Sequence, residues 1–430
     1  MSYYKRTADA LLQDLLDAFG AVLIEGPKWC GKTTTASQLA NSILRMQDPS
    51  MREEYLATAR TKPSILLKGD TPRLIDEWQD APMLWDAVRT TVDDRQIPGQ
   101  FILTGSNAVD KSQIHHSGAG RIARLRMLPM SLWESQESTG EVSLKELFNN
   151  PDYDIDGKMS KMTVEDLIFA ASRGGWPASL LARTPKAQLL VAKNYVQTIC
   201  SDDVSGIDGK KRDAKLTSMI LRAYARNVST LVKKKSLLDD VTSSGEVSCH
   251  VDTFDDYVSA LEKLFVIQNI SAWCPAIRSK TAIRSSVKRC FCDPSIPIAL
   301  LGLSPESLSM QLKTFGFIFE QMCIRDLKAY TIDLNSHVSY YHDRYGLEAD
   351  IVLHLEDGRY ALIECKLGSS EIDDGAKHLL ELKRLIQEHN KTERQVPIRE
   401  PDLLIVMTGG TMAYSRPDGV KVIPLACLKD

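Results

Sequence analysis

AVLIEGPKWCGKTTTASQLA, residues 21–40, runs from a short apolar stretch into a glycine-bounded loop and out into a segment of helix-forming spacing. The loop reads G-x-x-x-x-G-K-T, and its setting between a strand and a helix is the one that phosphate binding requires. Gly26 and Gly31 allow tight backbone turns, so that loop N–H groups and the positive end of the following helix can surround phosphate oxygens. Within the loop, Pro27, Lys28, Trp29 and Cys30 line the same path, and Thr34 follows on the helix. Lys32 can reach the terminal phosphates, and the Thr33 hydroxyl can ligate Mg²⁺. These residues predict a site for ATP with magnesium.

A hydrolytic loop of this kind needs a carboxylate at the metal and a second one to orient water. LIDEWQ, residues 74–79, supplies both as a strand ending in Asp76, the metal-side acid, and Glu77, the catalytic one. FILTGSN, residues 101–107, is a further buried-looking strand with Thr104, Ser106 and Asn107 as candidates to sense the γ-phosphate, Thr104 and Ser106 ahead of Asn107. A strand closed by an ordinary turn reads the same way. RIARLRML, residues 121–128, opens on Arg121. That residue could stabilise transition-state charge in cis or in trans, or could be a solvated strand arginine.

The ordered set GPKWCGKT, GDTPRLIDEWQDAP, FILTGSN and GRIARLRMLPMSLWE resembles the AAA+-like ATP-binding proteins of bacteria and archaea that carry a C-terminal domain of unknown function. RGGWPASL (173–180) and LRAYARNVSTLV (221–232) resemble the middle region of that group. The resemblance implies a parallel-sheet P-loop ATPase, a helical and winged-helix-like middle and a nuclease-like C-terminal fold.

At 430 residues the chain exceeds one compact core and predicts two to three domains. We expect the ATPase domain over 1–140, a polar, turn-rich linker over 141–164, a helical and winged-helix-like region over 165–305 and an α/β domain over 306–430. Composition is ordinary for a globular protein, 43% hydrophobic and 25% charged, which excludes disorder as the default. Nine cysteines without paired ligand spacing fit reduced thiols and a cytoplasmic location. The N-terminal segment reads as an amphipathic helix rather than a leader, and no apolar run reaches the ~20 residues of a membrane span.

The net charge of −3 conceals local runs. Residues 206–238 hold nine basic residues against two acids, among them the cluster Lys233 to Lys235. A second basic stretch, within 278–289, contains Arg278, Lys280, Arg284, Lys288 and Arg289. Clustered cations bind DNA or RNA phosphates by releasing counterions, although exposed helices are often basic without binding anything. RGGWP reads as a fixed turn around a buried tryptophan, with a ligand role for Arg173 the lesser alternative.

Near the C-terminus, EADIVLHLEDGRYALIECK (348–366) places Asp350 on one strand and Glu364 and Lys366 on the next. A helix over 309–329, a three-strand meander, a second helix and further strands follow the order of the PD-(D/E)XK nuclease fold, which the stretch resembles. Carried over, the resemblance implies Asp350, Glu364 and the helix-borne Glu320 as Mg²⁺ ligands and Lys366 as the catalytic ammonium, with Glu348 able to assist. Two ordinary hairpin strands carry the same letters. The expectation is therefore an ATPase coupled to a nucleic-acid-binding middle and a nuclease-like domain. Its alternative is a nucleotide switch whose C-terminal domain binds a partner without cutting. Oligomers are compatible with either reading.

Overall fold

The structure, a computed structural model, describes residues 3–106, 116–243, 245, 247–273, 286–391 and 397–430. The apolar runs around the phosphate loop become a five-stranded sheet of β1 (Ala21–Glu25), β2 (Ser42–Arg45), β3 (Arg73–Asp76), β4 (Phe101–Gly105) and β5 (Ile122–Arg126). Spatial order is β2-β3-β4-β1-β5, and every pairing is parallel. β1 and β4 are buried along their whole length, as a parallel sheet covered on both faces demands. Alternate residues serve opposite faces: Leu23, Ile75 and Leu103 enter one core with Trp78 and Trp85, while Val22, Leu74 and Ile102 enter another with Leu12 and Leu16 of the N-terminal helix Ala8–Ala18. Parallel order brings the carboxyl ends of β1, β3 and β4 to one edge, where the loop glycines, Glu77 and Ser106 follow.

The segment expected as a linker is docked instead. β6 (Val142–Ser143) and the helix Leu144–Asn149 insert Val142, Leu144, Leu147 and Phe148 into the main core, and β6 pairs in parallel with β13 (Leu428–Lys429). The polar residues interspersed among these apolar ones mask the packing pattern in the sequence.

Among the described residues the middle region carries a series of helices from Val164–Arg173 to Val251–Lys263, and two more at Ser295–Leu300 and Pro305–Ser309. The expected two-stranded wing is reduced, among the described residues, to isolated antiparallel bridges Ile267↔Phe291 and Ile270↔Lys288. Ile267, Ile270, Cys290 and Phe291 are buried there, so this pair is part of the core and not an exposed wing.

In the C-terminal part, β7 (His337–His342), β8 (Glu348–His354) and β9 (Tyr360–Lys366) form an antiparallel meander. The helix Ile372–Asn390 then carries the chain to β10 (Leu403–Thr408), parallel to β9. β12 (Lys421–Pro424) adds beside β10, and the short β11 (Tyr414–Ser415) lies at the edge. One face of this sheet packs the helix Ile372–Asn390. Its other face shares a continuous core with the middle helices, from Leu132 through Ile220 and Phe319 to Ile405, across the boundary expected near residue 305. Among the described residues no helix is long and apolar enough to cross a membrane.

Candidate functional site

At the mouth of the phosphate loop, Gly26 has φ 153°, and a Cβ there would fall 2.2 Å from the Met127 carbonyl oxygen. Gly31 has φ 102° and begins the helix Lys32–Leu39. Only glycine adopts either conformation at little cost. The Lys32 ammonium is buried and donates to the carbonyl oxygens of Gly26 (3.0 Å) and Pro27 (2.8 Å), inside the loop's own curve.

Below it, Thr33 Oγ1 donates to Asp76 Oδ1 at 2.7 Å and Thr104 Oγ1 donates to the same oxygen at 2.6 Å. The strand register explains the meeting, since Asp76 on β3 is level with Thr104 on β4. Thr104 Oγ1 also accepts the Glu77 N–H at 3.3 Å. Glu77 itself is in the left-handed region at φ 55°, a strained conformation for a non-glycine residue that turns its carboxylate into the cleft. Ser106 Oγ donates to that carboxylate at 3.3 Å, and the Gln79 amide donates to the same oxygen. The hard oxygens of Thr33 and Asp76 meet at one point and would suit Mg²⁺.

The cleft over these groups is about 1360 Å³ and has a second wall, built from Pro177, Asn194, Asp203 and Gly206 of the middle region. Lys28 Nζ lies 2.6 Å from Asp203 Oδ1, and the Trp29 ring is 5.5 Å from that of Tyr195. Sequence reasoning missed Gln79, Asp203 and Tyr195. Gln79 lies inside the quoted LIDEWQ, but nothing local marks the other two. Behind the loop, buried Arg6 donates to the carbonyls of Cys30 and Leu128, each at 2.7 Å, and pairs with Glu134 at 2.9 Å.

Arg121 is not brought to this site. β5 is parallel to β1, so the residue opening β5 stands at the edge opposite the phosphate loop, where Arg121 pairs with Asp93 at 2.7 Å. A role in cis is thereby corrected. Arg173 is likewise engaged elsewhere, in two hydrogen bonds to Glu137 (3.0 and 2.7 Å), and Trp176 beside it is buried with its N–H on Ser295. Asn107, Arg278, Lys280 and Arg284 lie outside the described residues.

The long basic run is partly neutralised by acids from later in the chain. Lys210 pairs with Asp256, Arg226 with Asp240 and Lys234 with Asp255, while Arg212 is buried between Asp208 and Asp256. Lys288 and Arg289, read as exposed cations, are buried.

The C-terminal residues do converge. Asp350 Oδ2 accepts the Cys365 N–H at 2.9 Å, and Lys366 Nζ lies 2.7 Å from Glu364 Oε2. Burial, and then the charge of Asp350, push the fully buried Glu364 carboxyl up to about 8, with Lys366 opposing. Glu320 reaches the cluster from the helix Leu312–Tyr330, but Lys288 stands between: its Nζ is 2.5 Å from Glu320 Oε1, 2.9 Å from the Asp350 carbonyl oxygen and 3.7 Å from Asp350 Oδ1. Burial alone lowers the Lys288 pKa, yet Glu320 and Asp350 outweigh it and hold the lysine charged. Glu348 faces His342 at 3.7 Å. Among the described residues no three His, Cys, Asp or Glu side chains are gathered in the geometry of a metal site. The expected set of Glu320, Asp350 and Glu364 therefore does not fit Mg²⁺ in this arrangement, because an ammonium occupies the space between the first two.

Residues 18–136 match the family model described as an AAA domain. The parallel sheet and the glycine-bounded loop of this region resemble those of P-loop ATPase domains. Residues 164–307 and 315–428 match models described as domains of unknown function, DUF8612 and DUF4143. Two uncharacterized proteins, from Mycobacterium bovis and Mycobacterium tuberculosis, are each 24% identical over 366 residues, covering 83% of this chain and 72% of their own length. Among solved structures, a Walker-type ATPase of Pyrococcus abyssi aligns with 70% of this chain and 96% of its own, at 12% identity and a TM-score of 0.41. The match to the AAA model ends just before β6, and residues of the region matched next help to line the cleft.

Proposed function

We propose that the chain binds and hydrolyses ATP and works as a nucleotide-controlled switch. One observation carries this reading: a single Asp76 oxygen is held by Thr33 and Thr104 while the backbone turns Glu77 into the same cleft. Lys32 exchanges its two carbonyl partners for phosphate oxygens. Thr33 and Asp76 would hold magnesium, which would offset phosphate charge. Glu77, steadied by Ser106 and Gln79, orients the attacking water. Because the cleft's second wall belongs to the middle region, a change at the γ-phosphate is transmitted there directly, through Lys28, Asp203, Trp29 and Tyr195.

The order of helix, meander, helix and parallel strand supports reading the C-terminal domain as PD-(D/E)XK-like. Lys288 between Glu320 and Asp350 favours the form of the proposal in which that domain binds a partner without cutting. A DNA or RNA partner would be met by Lys211, Arg222, Lys233 and Lys235, which stay exposed. Calorimetry and phosphate release test the central reading. Lys32→Ala should abolish ATP uptake, and Glu77→Gln should bind ATP but hydrolyse it slowly. Undiminished hydrolysis in both variants would refute it.

A further inference from the structure

We propose that Lys288 is the resident cation of the C-terminal acid pocket and that it keeps divalent metal out while seated. The inference rests on the nuclease-like reading of that domain and is independent of ATP hydrolysis.

Placement comes first. The Lys288 backbone is fixed in both directions, its N–H donating to Ile270 O at 2.9 Å and its carbonyl accepting from Ile270 N–H at 3.1 Å. The side chain runs inward past the Tyr340 ring and is only 5% exposed, against an equally enclosed Glu320 at 7%. A lysine this deep requires oxygens around its ammonium. It has them in the Glu320 carboxylate and the Asp350 carbonyl, with Asp350 Oδ1 next nearest.

Those are the atoms a metal would need. Magnesium or manganese binds carboxylate oxygens at about 2.0–2.2 Å in octahedral geometry, which leaves no room for an ammonium hydrogen-bonded to the same group. The other Asp350 oxygen is committed to the Cys365 N–H, and Glu364 already faces Lys366. Two fixed ammonium groups therefore stand against three acids, and a dication entering beside Lys288 meets like charge at close range. Metal and Lys288 compete for one position. Since the Lys288 backbone is bridged to Ile270 and its neighbours Cys290 and Phe291 are buried, vacating the position means swinging the side chain out past the Tyr340 ring.

The test is Mn²⁺ binding to the full chain without nucleotide, read by electron paramagnetic resonance. Comparison with Asp350→Asn isolates the C-terminal contribution from any ion at the phosphate loop. The wild-type chain should show no Asp350-dependent binding. Lys288→Met should gain a Mn²⁺ site that the double variant Lys288→Met, Asp350→Asn loses. Asp350-dependent binding in the wild type would overturn the inference and leave the nuclease-like reading standing. No gain in a folded Lys288→Met would overturn both. Should that variant not fold, amine acetylation of the unmodified chain decides. Lys288 should be protected with and without Mn²⁺, whereas labelling as fast as exposed Lys211, or labelling induced by Mn²⁺, would refute a seated lysine.

Discussion

The Lys28 ammonium meets the Asp203 carboxylate at 2.6 Å across the nucleotide cleft, joining the phosphate loop to the end of the helix Pro185–Thr198 and its continuation Ile199–Asp203. Lys28 is part-exposed and Asp203 is nearly buried, so the acid is the fixed partner and the lysine the movable one. Phosphates entering the cleft compete for the same ammonium and are repelled by the same carboxylate. Asp203→Asn should therefore tighten ATP binding by about three- to tenfold, on the order of 1 kcal/mol. Calorimetry checks this, and in a Lys28→Ala background the further change Asp203→Asn should tighten binding by less, through the lost repulsion alone. The Trp29 ring beside Tyr195 should report the same event as a fluorescence change on ATP addition, absent in Trp29→Phe.

In the proposed mechanism Thr104 is the hinge of the hydrolytic geometry. Its hydroxyl donates a hydrogen bond to Asp76 and accepts one from the Glu77 N–H, so one oxygen sets both acids. Thr104→Val keeps the shape and removes both bonds. Each is a modest interaction of about 1 kcal/mol, but their loss falls on the placement of Glu77, so turnover should drop about tenfold or more. ATP affinity should change far less. Equal losses in affinity and turnover would instead assign Thr104 to binding.

Arg6 and Glu134 form a buried pair that holds the loop from behind, through the Cys30 and Leu128 carbonyls. Burial raises the Glu134 carboxyl, but Arg6 and the N–H donors of Ser131 and Thr7 outweigh it and keep the group below the ordinary range. Removing one member of such a pair strands the other charge. Arg6→Ala should cost about 3–5 kcal/mol, seen as a lower melting temperature, together with weaker ATP binding as the loop loses its backing. A thermal loss without any change in affinity would confine Arg6 to stability.

The phosphate loop and its two acids were legible in the sequence because their chemistry is packed into contiguous, strand-ended segments. What sequence lacked was direction and distance. RIARLR reads as a strand, but only its parallel pairing with β1 shows that Arg121 opens it at the far edge. The basic run from Lys210 looks unopposed because Asp240, Asp255 and Asp256 arrive only when later helices fold back on it. Lys288 counts as one more surface cation, and nothing adjacent to it in the chain signals that Glu320 and Asp350 enclose it. Val142, Leu144 and Phe148 were the available sign that residues 141–164 pack rather than link.

A local pair within the same run makes the middle region sensitive to acid. Arg212 is buried and donates two hydrogen bonds to Asp208, at 2.8 Å each, which bring that carboxyl down to about 2 from 3.8 even though burial opposes the shift. A depressed carboxylate pKa means that the unfolded chain binds more protons than the folded one between these values. The stabilisation is then fully present above about pH 4 and disappears as pH falls through about 2. Water reaches Asp208, so screening limits the contribution to about 1 kcal/mol. Asp208→Asn should thus lower stability to urea by about that amount near neutral pH, with the gap from wild type closing at about pH 2. A gap that persists unchanged in acid would mean that Asp208 acts through packing or neutral hydrogen bonds, and that Asp256 alone supplies the charge Arg212 needs.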